Sequence, residues 1–220
     1  MLIFVLFSTS VHGQRFFSNS SRFHHQVTRV DFETRWLGPF IETPWLWLWP
    51  GGKLEWWPAG NDEWIEDGAF LSAGIFAHPN SDLMFVRNHP LSQAAHSGQF
   101  ALSTRHDLYD IMVSLGKKTD GTNSVRGYVQ EIGLWIAAQP ELPFGRSRNT
   151  GVNFFDVSGV FIATAAVTNT FQFVGFRYPR GISALRVNDN SGHPLIDALR
   201  FTRMRFTTNS VLTLRDLKFP

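Results

Sequence analysis

The chain of 220 residues contains no cysteine. Disulfides, zinc–thiolate sites and cysteine nucleophiles are therefore excluded, and core packing, alone or with a metal, must hold the fold together. No apolar stretch approaches the ~20 residues that a membrane-spanning helix needs. Lys and Arg form no dense run, which argues against nucleic acid as a partner. There is no βαβ alternation, no phosphate-binding glycine loop and no G-x-S-x-G elbow. His78, His89, His96 and His106 are scattered without metal-ligand spacing. Glu63 and Glu66 lie in a loop without a supporting motif, and Glu131 stands alone in an apolar run. Paired acid–base groups, which hydrolytic catalysis needs, are thus missing. The sequence is read as that of a non-enzyme.

What is present begins with Met1 to Gly13, a short apolar run followed by small and polar residues. This is the layout of a secretory signal peptide, so secretion to the extracellular space is expected. Residues 14–29 (QRFFSNSSRFHHQVTR) are polar, Ser-rich and weakly patterned, and read as a flexible lead-in. They include the sequon Asn19-Ser20-Ser21 and the pair His24 and His25. Residues 30–220 read as one domain. The 21 Phe and 8 Trp supply ample surface for a large core. The net charge of +2 is uneven. Acidic residues concentrate between positions 31 and 67, whereas Arg200, Arg203, Arg205, Arg215 and Lys218 face only Asp216 in the last segment.

From Val30 onward the pattern is that of strands. Trp45-Leu46-Trp47-Leu48-Trp49 alternates with a period of two, Pro50-Gly51-Gly52 marks a turn, and Leu54 to Trp57 returns. Further strand-like runs are Leu83 to Val86, Phe100 to Ser103, Tyr128 to Ala137, Phe154 to Ala163, Thr168 to Phe176, Ala184 to Val187 and Leu195 to Thr202. Val211 to Phe219 reads as an extra C-terminal strand, and Leu108 to Leu115 fits a short helix or a strand. Many short strands separated by turn residues predict an all-β, antiparallel β-sandwich.

Three separated motifs carry a family likeness. Val30-Asp31-Phe32-Glu33 stands at the start, Ala94-Ala95-His96-Ser97-Gly98-Gln99-Phe100-Ala101-Leu102 in the middle, and Phe155-Asp156-Val157-Ser158-Gly159-Val160-Phe161 with Leu195-Ile196-Asp197-Ala198-Leu199-Arg200-Phe201 at the end. In order and spacing they resemble the jelly-roll carbohydrate-binding modules and the related galactose-binding-like and MAM-type domains. Ala198 departs from the second Asp or Asn of many members, and the Trp-rich hairpin lies outside the family pattern. The resemblance implies a jelly roll and a structural calcium held between the first and closing strands. Glu33 and Asp197 are the matching metal positions, with Asp31 a further candidate. Calcium takes six to eight hard oxygen ligands, so carboxylates there suit it. The bare residues allow another reading, in which these carboxylates are solvated or pair with Arg200 or Arg35.

Sugars offer apolar C–H faces to aromatic rings and hydroxyls to planar polar groups. Trp45, Trp47 and Trp49 would stand ~7 Å apart along one strand face, with Trp56 beside them and Glu55 as a hydroxyl acceptor. This row serves either as a glycan platform, as the core of the sandwich, or as a protein-contact patch. The functional expectation is a secreted, non-catalytic module that binds glycan or polysaccharide. The alternative is an extracellular adhesion protein that contacts other proteins through the tryptophans.

Overall fold

The structure, a computed structural model, describes residues 13–24, 26–31, 55–58, 64–66, 69–74, 83–87, 100–104, 110–119, 124–137, 151–168, 170–188 and 195–220. Among these residues it is all-β apart from two single 3-10 turns. In chain order the strands are β1 (Arg15–Phe17), β2 (Val27–Asp31), β3 (Glu55–Pro58), β4 (Trp64–Glu66), β5 (Ala69–Gly74), β6 (Leu83–Arg87) and β7 (Phe100–Thr104). They continue with β8 (Asp110–Lys118), β9 (Ser124–Ala137), β10 (Gly151–Asp156), β11 (Phe161–Ala166), β12 (Gln172–Asn188), β13 (Leu195–Thr202) and β14 (Arg205–Phe206). The strand pairings are antiparallel, in the order β11-β10-β12-β8-β9-β13-β7-β6-β3. The sheet curls into a half-barrel.

Two long strands produce the curl by changing partners along their length. The first part of β12 lies between β1 and β9, with Phe176 opposite both Phe16 and Ile132. Its second part lies between β10 and β8, with Leu185 opposite Phe154 and Val113. The change-over falls at Pro179-Arg180-Gly181. Proline has no N–H for a ladder and is tolerated where pairing is interrupted. Gly181 has φ +103°, and a Cβ there would stand 2.6 Å from the Tyr128 ring, so glycine supplies both the left-handed backbone and the room. Likewise β9 forms a hairpin with β8 at Gly116↔Arg126 and then runs between β12 and β13.

The main core lies on one face of the sheet. On β9, Ile132, Leu134 and Ile136 are fully buried at a spacing of two, as a pleated strand requires. They meet Phe154, Phe176 and Phe201, all at 1% exposure or less. The Phe154 and Phe176 ring centroids are 4.8 Å apart, and Phe16 lies 4.8 Å from Phe176. A smaller cluster on the other face joins Met112, Phe155, Ala184, Leu212 and Leu217.

Several sequence expectations are corrected here. Of the run Leu108 to Leu115, the described residues from Asp110 onward lie on β8, because Ile111, Val113 and Leu115 alternate onto one core cluster. The run Phe154 to Ala163 is two strands joined by a tight turn, in which Asp156 Oδ1 accepts from the amides of Ser158 (2.8 Å) and Val160 (2.9 Å). Thr168 to Phe176 and Ala184 to Val187 overlap one continuous strand, β12. Val211 to Phe219 is not a strand. Leu212 and Leu217 instead bury across the 3-10 turn Leu214–Asp216, which Asp216 ties by accepting from Thr213 N and Oγ1 at 2.7 Å each. Lys218 then makes an isolated parallel bridge to Val160.

The flexible lead-in is also corrected. Arg15, Phe16 and Phe17 register with Arg177, Phe176 and Gly175, so residues 14–29 carry β1 and the start of β2. The average polarity of that segment conceals its phenylalanines. Phe16 packs against the main core and Phe17 on the opposite face, which anchors the whole stretch.

Candidate binding cleft

The other face of β1, β12, β9, β13 and β2 carries rows of side chains that follow from the register. One row is Arg15, Arg177 and Glu131, each directly opposite the next. The neighbouring row is Phe17, Gly175, Gly133, Arg200 and Arg29. The two glycines are opposite each other for a steric reason. A Cβ at Gly175 would stand 2.3 Å from the Phe17 ring, and one at Gly133 would stand 2.4 Å from the Phe173 ring. Aromatic rings covering strand glycines recover the packing that the missing side chains would otherwise give.

Around these rings lies an aromatic cluster. The Phe17 centroid is 5.1 Å from Phe23 and 5.9 Å from Phe173, and Phe173 is 5.6 Å from Trp135. Phe23 follows the 3-10 turn Ser20–Arg22, which Asn19 caps by accepting from Ser21 N at 2.9 Å. The turn is held over the sheet by charge. Glu131, with its side chain 3% exposed, accepts from Arg177 Nε at 2.5 Å through Oε1 and from the His24 amide at 2.9 Å through Oε2. His24 Nδ1 stands 3.5 Å from Oε1 with its side chain 62% exposed. Arg177 also donates to the Arg22 carbonyl at 3.2 Å, and its guanidinium lies 5.9 Å from the Phe17 centroid. The Glu131 backbone and the Thr202 hydroxyl meet at 3.3 to 3.4 Å.

Between turn and sheet opens a cleft of about 280 Å³ whose lining includes Arg15, Phe17, Arg22, Phe23, His24 and Arg177. Arg15 and Arg22 are exposed, and among the described residues neither guanidinium meets a carboxylate. Farther along the face, burial and the nearby Arg29 charge lower the pKa of Arg200. The arrangement can hold a small polar ligand between planar cationic donors and ring faces.

The structure treats the sequence-derived candidates unequally. Trp45, Trp47, Trp49 and Glu33 lie outside the described residues. Glu55 and Trp56 are on β3, registered with Arg87 and Val86. Asp31 ends β2 opposite Ala198, which places it one residue out of phase with the fully buried Asp197 on β13. Glu131, the lone acid of an apolar strand and read as paired or at an edge, anchors an ion pair with Arg177. Sequence reading missed Arg15, Phe17, Arg22, Phe23 and Arg177. The available signal was a lone acid and a lone base, Glu131 and Arg177, each inside an apolar strand, because buried charges are paired.

No family model matches the chain, and no curated protein matches it. A solved structure that is similar is the enzymatically active domain of tailspike protein 4 of bacteriophage CBA120. The identity is 14% and the TM-score 0.32, over 61% of this chain and 19% of that chain. So distant a likeness carries no argument about activity. Among the described residues no helix is long and apolar enough to cross a membrane, and no three His, Asp or Glu side chains group as a metal site.

Proposed function

We propose that this chain is a secreted, non-catalytic carbohydrate-binding module built on a jelly-roll type of β-scaffold. The observation that carries the reading is the cleft, where Phe17 and Phe23 lie beside the forked donors of Arg15, Arg22 and Arg177. Rings offer a face to sugar C–H groups, and rigid strands hold them with little entropy left to lose. Guanidinium groups offer paired N–H donors to ring and hydroxyl oxygens. The curled antiparallel sheet and the three motifs of the family resemblance support the scaffold, and residues 1–13 support secretion.

A glycan array tests this with the full chain. Signal on a defined set of saccharides is expected, reduced about tenfold, or about 1.4 kcal/mol, by Arg22→Ala. Arg22 is exposed, so the substitution should change stability by no more than about 0.5 kcal/mol. A flat array accompanied by self-association would replace the module with an adhesion protein.

The same resemblance implies calcium between Glu33, Asp197 and Asp31. The pairing of β2 with β13 brings the two strands together, but Asp31 lies opposite Ala198 and one residue out of phase with buried Asp197, so the calcium reading rests on the resemblance alone. Calcium at ~100 times its Kd should add ~2.7 kcal/mol if it binds only the folded state. That corresponds to roughly 5–10 °C in melting temperature for a chain of this size. The melt is measured in excess chelator and in millimolar calcium, for wild type and Asp197→Asn. Equal wild-type melting temperatures in the two conditions would remove the calcium site.

A further inference from the structure

We infer that the cleft selects acidic saccharides, in which a carboxylate or sulfate ester on the sugar is clamped by Arg15 and Arg22. This rests on the reading of the cleft as a carbohydrate site and names the class of sugar it takes.

The charge arrangement leads to it. Arg15 and Arg177 stand directly opposite each other on adjacent strands, a juxtaposition of like charges that destabilises a sheet unless something compensates. Glu131 compensates only Arg177. Its Oε1 takes Arg177 Nε and faces His24 Nδ1, while Oε2 takes the His24 amide. Both oxygens are committed, and a carboxylate with a 3% exposed side chain has no freedom to swing outward. Among the described residues, Arg15 and Arg22 therefore meet no carboxylate and stand at the rim of the same cleft.

The geometry of those groups defines the ligand further. A guanidinium is a planar fork that fits two oxygens of one carboxylate or sulfate at once. Beside the forks, half-buried Phe23 meets buried Phe17 edge to face with centroids 5.1 Å apart, and the Phe23 ring is an apolar surface against which a sugar ring can lie. A volume of about 280 Å³ is close to the ~300 Å³ at which small-ligand pockets begin. That suits one sugar unit with its charged substituent, at the end or in the middle of a chain that continues through the open side. An inorganic anion would use the forks and leave the rings idle.

The experiment is a calorimetric titration of the full chain with three oligosaccharides of matched length: oligogalacturonate, sulfated galactan and neutral galactan. The two acidic arms separate carboxylate from sulfate ester as the source of charge. At least one should bind roughly tenfold or more tighter than the neutral arm, and raising the salt should weaken it because exposed charges are screened. The double substitution of Arg15→Ala and Arg22→Ala should remove that preference without lowering the melting temperature. Arg15→Lys with Arg22→Lys keeps the charge and loses the fork, so it should recover only part of the affinity. Equal binding of neutral and acidic arms would overturn the acidic selectivity and leave the module reading standing. Acidic preference that survives the double alanine variant would overturn the assignment to this cleft. Binding in no arm and on no array would remove the module reading itself.

Discussion

Glu131→Ala is expected to lower stability by about 3–5 kcal/mol, the usual loss when one partner of a buried ion pair is removed. The substitution leaves the Arg177 guanidinium, with its side chain 19% exposed, facing Arg15 without its carboxylate. It also takes the acceptor from the His24 amide, so the turn Ser20–Arg22 loses a hydrogen bond to the sheet and keeps the one from Arg177 to the Arg22 carbonyl. The first effect should appear as a fall in melting temperature of roughly 6–20 °C. The second should appear as faster amide exchange at β1 than at β9. Replacing both members, Glu131→Leu with Arg177→Met, separates charge from packing. A buried ion pair exchanged as a unit for apolar groups of similar volume often costs little, so the double variant should melt above Glu131→Ala. If Glu131→Ala alone melts within about 2 °C of wild type, the pair does not hold the turn down.

Phe154→Ala is expected to cost about 3–5 kcal/mol, the range for a large aromatic removed from a core that cannot collapse around the gap. Phe154 is fully buried at the point where the curl brings β1 and both neighbours of β10 together. Its ring lies 6.0 Å from Phe16 and 4.8 Å from Phe176. Because Phe16 belongs to β1, a cavity there should also loosen the N-terminal strand and widen the cleft on the opposite face. Chemical denaturation of wild type and Phe154→Ala, read by tryptophan fluorescence and by circular dichroism, gives the difference in stability. A loss below about 1 kcal/mol would mean that the ring is not part of a continuous core. The conservative Phe154→Leu should recover a good part of the loss, since it restores most of the volume.

The strands were legible where local pattern and burial agree. Leu195 to Thr202 matches β13 at both ends, and the runs beginning at Leu83 and Phe100 match β6 and β7 to within one residue. Each is short, apolar and bounded by turn residues. The errors have a shared cause. Phe154 to Ala163 reads as one strand because apolar residues continue through the bend, and the bend depends on the Asp156 side chain satisfying two amides. The opposite error in β12 comes from treating Pro179 and Gly181 as a break, when they mark the point where a strand exchanges neighbours. Neither signal is visible in a window of a few residues, because both depend on which chain segment lies alongside.

The sequence by itself determined that this chain is β-rich, without disulfides, without a thiolate or nucleophile-elbow chemistry, and without an apolar run long enough for a helical membrane span. Those conclusions follow from composition and from a period of two, which are properties of the chain alone. Only the tertiary structure decided that Arg15, Arg22 and Arg177 meet Phe17 and Phe23 in one cleft, and that Glu131 pairs with Arg177. Positions 15 and 177 are 162 residues apart in the chain, and a charge balance exists only between groups that the fold has brought within a few ångströms. Coulomb interactions depend on distance in space, and the curl of the sheet sets that distance.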